Sequence, residues 1–92
     1  MAKKVDYSKE VGTIAELMEA VMADSGVPRN IRRAVEEAKY KITGNGEELG
    51  VSISSAIYSL DDISNDINMP SHTRTEIWTI ISELESLKEK IK

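Results

Sequence analysis

Apolar residues recur at three- and four-residue spacing in four stretches of the chain, the period of a helix that buries one face. Val11, Ile14, Leu17, Met18 and Val21 share a side of the first, and Ile31, Ala34, Val35, Ala38 and Ile42 a side of the second. The third stripe is Leu49, Ile53, Ala56, Ile57, Leu60, Ile63 and Ile67; the fourth is Ile77, Ile80, Ile81, Leu84, Leu87 and Ile91. The pattern predicts helices over residues 6–24, 28–43, 46–66 and 70–91. Two places test it. Gly12 costs about 1 kcal/mol inside a helix and leaves Thr13-x-x-Glu16 as a rival start, while Val51-Ser52-Ile53-Ser54 alternates like a strand. Both are read as helical because the stripes run through them.

The breaks between the stretches carry turn chemistry. Ser25-Gly26-Val27-Pro28 closes the first helix, with Gly26 expected in the left-handed conformation and Pro28 in the first turn of the next helix. Thr43-Gly44-Asn45-Gly46 closes the second, and Asn45 with Glu48 resembles a capping box, Glu47 and Glu48 favouring the positive helix end. Asn68-Met69-Pro70 closes the third. Asp24, Gly26, Pro28 and Arg32 recur as Asp66, Asn68, Pro70 and Arg74, each 42 residues on. Two units of this length cannot form a self-supporting solenoid, which needs about three, so they must close on each other. The expected fold is all-α: an antiparallel up-and-down four-helix bundle of two hairpins related by an internal repeat, forming one domain over residues 1–92.

Composition narrows the classes. Cysteine is absent, which excludes disulfides, thiolate metal sites and cysteine nucleophiles and suits a reducing cytosol. No signal-like or membrane-spanning apolar run occurs, so the expectation is a soluble, cytoplasmic protein with no membrane partner. The net charge of −4 hides an uneven distribution. Arg29, Arg32, Arg33, Lys39 and Lys41 make the second helix basic, whereas residues 47–69 contain no cation. An acidic total argues against coating nucleic acid broadly and leaves room for one basic face.

Val27-Pro28-Arg29-Asn30-Ile31-Arg32-Arg33, and the run from Leu60-Asp61-Asp62-Ile63-Ser64 through Met69-Pro70-Ser71-His72-Thr73-Arg74 to Ile77-Trp78, resemble the small archaeal proteins grouped as uncharacterised protein family 0147. The resemblance covers essentially the whole chain. It implies an archaeal origin and an all-helical bundle, and it transfers no catalytic residue, cofactor or substrate.

Candidate chemistry is sparse. His72 is the only histidine; a metal site would need carboxylates converging on it, Asp66 being the nearest candidate across the turn, and the residue is read instead as a solvent-facing first-turn side chain. Asp62 and Asp66, four apart with Asp61 nearby, are read as a solvated face rather than a cation site. No metal ligand set, cofactor, small-molecule substrate or catalytic residue is assigned, and the chain is expected not to be an enzyme. Asp24 and Asp66 are read as caps for the helices four residues on, and Arg32 and Arg74 as bridges to acidic groups or helix-end carbonyls.

The second helix points elsewhere. Opposite its apolar stripe, Arg29, Arg33, Glu36 and Tyr40 cluster, with Arg32 on the flank, and Trp78 flanks the stripe of the fourth helix. Arginine and an exposed aromatic ring suit a protein interface or, alternatively, phosphate contact with base stacking. A third reading packs the basic helix against the acidic third, with Tyr40 over a neighbour's edge. The expected activity is contact with another protein or with a second copy in a homodimer, through Arg29, Arg32, Arg33, Tyr40 and Trp78. The alternative is an RNA or ribonucleoprotein role, in which Lys39 joins the arginines at phosphates.

Overall fold

Four helices form along the four stripes: α1 (Ser8–Ala23), α2 (Arg29–Thr43), α3 (Leu49–Ile63) and α4 (Ser71–Lys90). The computed structural model describes residues 7–44 and 48–91. Gly12 and Val51–Ser54 are helical, because the residues on either side bury a continuous face. Each helix packs on two neighbours: α1 on α2 and α4, and α3 on α2 and α4, leaving α2 and α4 diagonal. This is an antiparallel four-helix bundle, and no strand occurs among the described residues. Its core draws on every helix, with Met18, Ile31, Val35, Ile53, Leu60, Ile77 and Leu84 fully buried. Val27 and Met69, just before the two prolines, are buried as well and plug one end of the bundle. At the opposite end the Tyr7 hydroxyl donates to the Lys90 carbonyl at 2.9 Å, tying the start of α1 to the end of α4.

Helix ends depart from the periodicity. The third helix stops at Ile63, three residues before the expected limit, where Ser64 Oγ donates to the Asp61 carbonyl at 2.7 Å. Ile67 therefore lies beyond the helix in a turn and is 90% exposed, outside the stripe it was expected to extend. Leu17 also faces solvent, since it stands at the margin of the arc formed by Ile14, Met18 and Val21. Pro28 and Pro70 are not first-turn residues. Both are extended (ψ 147° and 149°) and precede the helix, their carbonyls accepting the amides of Arg32 and Arg74 at 3.1 and 3.0 Å.

The turns use a different device from the one expected. No described residue has positive φ, so neither Gly26 nor Asn68 is left-handed. A carboxylate closes each turn instead: Asp24 Oδ1 accepts the Gly26 amide at 2.9 Å, and Asp66 Oδ1 the Asn68 amide at 2.8 Å. The carboxylates thus satisfy amides inside their own turns rather than the first amides of α2 and α4, whose starts have no side-chain cap. An aspartate bonding two residues on needs no unusual backbone, which removes the requirement for a left-handed residue. Of the capping box expected at Asn45 and Glu48, Asn45 and Glu47 lie outside the described residues, and Glu48 makes no side-chain cap.

Candidate functional site

Two regions carry the polar side chains that the sequence singles out. The first is the outer face of α2. Burial of Ile31, Val35, Ala38 and Ile42 turns Arg29, Arg33 and Tyr40 outward by helical geometry. Tyr40 is 63% exposed, so it does not lie over a neighbouring helix. Arg33 Nε reaches Glu37 at 4.0 Å, one turn on, with both side chains largely in solvent. Two open depressions flank these arginines, one bordered by Met22, Arg32 and Glu36, the other by Asn30, Ala34 and Glu37.

The two lysines of α2 are engaged by neighbouring helices. Lys39 Nζ meets Glu19 on α1 at 2.9 Å, a contact that holds its ammonium pKa above the ordinary range. Lys41 donates to Ser59 on α3 at 3.1 Å. Both contacts tie α2 to a neighbouring helix. Arg32 is half-buried, and its Nε is sequestered without a hydrogen-bond partner. Arg74, by contrast, donates to the carbonyls of Ser64 and Asp66 at 3.1 and 2.9 Å, the helix-end role predicted for it. Trp78 is 56% exposed on α4. Because α4 is diagonal to α2, Trp78 is not part of the α2 surface, and the expected site divides into two.

The second region is the end of the bundle where both Asp-to-Pro turns lie. Here Asp24 Oδ2 accepts a hydrogen bond from His72 Nε2 at 3.1 Å, from the first turn of α4. Asp66, the expected neighbour of His72, pairs with Asn30 in the first turn of α2, at 3.1 Å. The two hairpins thus exchange contacts, each turn gripping the helix of the other. The His72 hydrogen bond, followed by that from the Gly26 amide, holds the Asp24 carboxyl below its ordinary pKa of 3.8, with Arg32 adding a smaller electrostatic pull. Glu76, one turn beyond His72, completes a cluster in which the donor atoms of Asp24, His72 and Glu76 all lie within 4.8 Å of one another. The sequence hid this grouping because Asp24 and His72 are 48 positions apart. Only His72-x-x-x-Glu76, at one helical turn, was available as a signal.

Comparison with known proteins places this geometry in a family. The model of Uncharacterised protein family (UPF0147) matches residues 1–87. The chain belongs to UPF0147. Among its relatives, a UPF0147 protein of Methanocaldococcus jannaschii is 52% identical over 75 residues, covering 82% of this chain and 81% of that protein. One from Pyrococcus abyssi is 42% identical over 84 residues, covering 90% and 98%. A UPF0147 crystal structure from Thermoplasma acidophilum superposes with a TM-score of 0.82 at 32% identity, over 87% of this chain and 94% of that one. A crystal structure of a protein of unknown function gives 0.84 at 47% identity, over 92% and 97%. The UPF0147 relatives named here are archaeal, in agreement with the resemblance seen in the sequence, and the four-helix bundle is shared with the solved structures.

Proposed function

We propose that this UPF0147 protein acts by macromolecular contact rather than by chemistry, as a cytoplasmic interaction module whose binding surface is the outer face of α2. The observation that carries the reading is the exposure of Tyr40 on the same face as Arg29 and Arg33. Tyrosine and arginine supply interface energy out of proportion to their number, because each combines a large apolar or planar surface with hydrogen-bonding groups. Glu36 and Glu37 border the depressions beside the arginines. This mixed-charge rim favours a protein partner over a polyanion, and the commitment of Lys39 to Glu19 points the same way. Trp78, on the diagonal helix, supplies a separate aromatic contact for a second copy of the chain.

Affinity capture with the native protein, with and without nuclease, tests the reading. Partners retained after nuclease and lost on Tyr40→Ala with Arg33→Glu support a protein contact through α2. Partners that vanish on digestion, or whose binding falls steeply between low and moderate salt, replace it with RNA. Partners indifferent to the substitutions refute the α2 surface.

A further inference from the structure

We propose that Asp24, His72 and Glu76 form a binding site for a divalent first-row transition ion of the zinc class. The two turns at this end of the bundle carry the same backbone closure but different side chains. In one, Asp66 is tethered by Asn30, and the residue one turn further along α2 is Ala34. In the other, Asp24 is tethered by His72, and the residue one turn further along α4 is Glu76. His72 and Glu76 stand 42 positions after Asn30 and Ala34. A neutral amide is therefore enough to hold such a turn. The imidazole and the second carboxylate go beyond that need, and both are metal-ligating groups.

The geometry suits an ion. Bonds of about 2.1 Å to zinc set neighbouring ligand atoms roughly 3.0 Å apart in an octahedral shell and roughly 3.4 Å apart in a tetrahedral one. The 3.1 Å between His72 Nε2 and Asp24 Oδ2 lies between these values. The Glu76 side chain makes no hydrogen bond or ion pair with any described residue, although its carboxylate lies within 4.8 Å of the Asp24 oxygen and the His72 nitrogen. A dication held among the three groups is attracted by the Asp24 and Glu76 carboxylates, with Arg32 the further charge acting on Asp24. Asp24 is already held by the Gly26 amide and His72 by Asp24, so the ordering that accompanies binding falls mainly on the exposed Glu76 side chain. The ion takes one nitrogen and two oxygens, the imidazole binding through Nε2 with its proton on Nδ1, and water fills the open positions. An imidazole ligand selects zinc, nickel or cobalt over magnesium and calcium, which prefer all-oxygen shells. None of the three ligands belongs to the α2 face, so zinc binding and partner binding through α2 are tested independently.

Calorimetric titration of the untagged protein with ZnCl2, and in parallel with MgCl2, tests the assignment. The expected result is saturation at one Zn2+ per chain at micromolar concentration, with no response to Mg2+. Loss of an outer partner of a metal site already weakens binding about 10–100-fold, so His72→Asn and Glu76→Ala, each losing a ligand, should weaken it at least about tenfold. Each substitution installs the residue found at the other turn, and melting curves in EDTA should match the wild type. Absence of saturable Zn2+ binding, equal binding of Mg2+, or Zn2+ affinity unchanged in both variants overturns the proposal.

Discussion

Asp24 does two jobs with one carboxylate: Oδ1 closes a turn through the Gly26 amide, and Oδ2 holds His72 across the helix interface. Such a group responds to acid in a defined direction. Its folded-state pKa is depressed by those two hydrogen bonds, so the stability it contributes is complete above its unfolded pKa and is lost as pH falls through the folded value. In an acid titration followed by carboxylate NMR, Asp24 should titrate below 3.8, and its midpoint should move up towards the ordinary range in His72→Ala. The sequence identified Asp24, Asp66 and His72 as residues of interest but paired them within a hairpin. The pairing is between hairpins, and spacing along one chain segment carries no signal for a contact made only when two segments dock. The outward placement of Arg29, Arg33 and Tyr40 was legible, because helical periodicity alone decides it.

Among the elements, α1 shows where local propensity and tertiary packing disagree. Gly12 weakens the helix locally, yet α1 continues through it because Ile14, Met18 and Val21 are buried against α2 and α4. A methyl group at Gly12 would meet nothing within 4 Å. Gly12→Ala should therefore stabilise the protein by about 0.5–1 kcal/mol, measured by urea denaturation at constant slope. Helix identity was readable throughout, since each apolar stripe spans several turns. Helix ends were less so. Pro28 and Pro70 fit either the last extended residue or the first helical one, and the choice depends on which carbonyl accepts the Arg32 and Arg74 amides. The early stop of α3 depends likewise on Ser64 Oγ, a hydrogen bond that apolar periodicity does not encode.

At the scale of the whole molecule, one core joins all four helices, and Leu60 is fully enclosed within it by residues of other helices. Truncation there leaves a void that a close-packed bundle closes only partly. Leu60→Ala should cost about 2–5 kcal/mol in chemical denaturation, with helix loss and Trp78 fluorescence changing together if unfolding stays cooperative. The number of helices and the need for the two hairpins to close on each other followed from the sequence. The diagonal placement of α2 and α4, which separates Trp78 from Tyr40, came only with the assembled bundle. The hydrogen bond from Tyr7 to the Lys90 carbonyl adds a mechanical consequence. Since α1 enters and α4 leaves at the same end, a force pulling the two ends apart loads the α1–α4 seam as a zipper. Its contacts then yield one turn at a time instead of sharing the load along the helices.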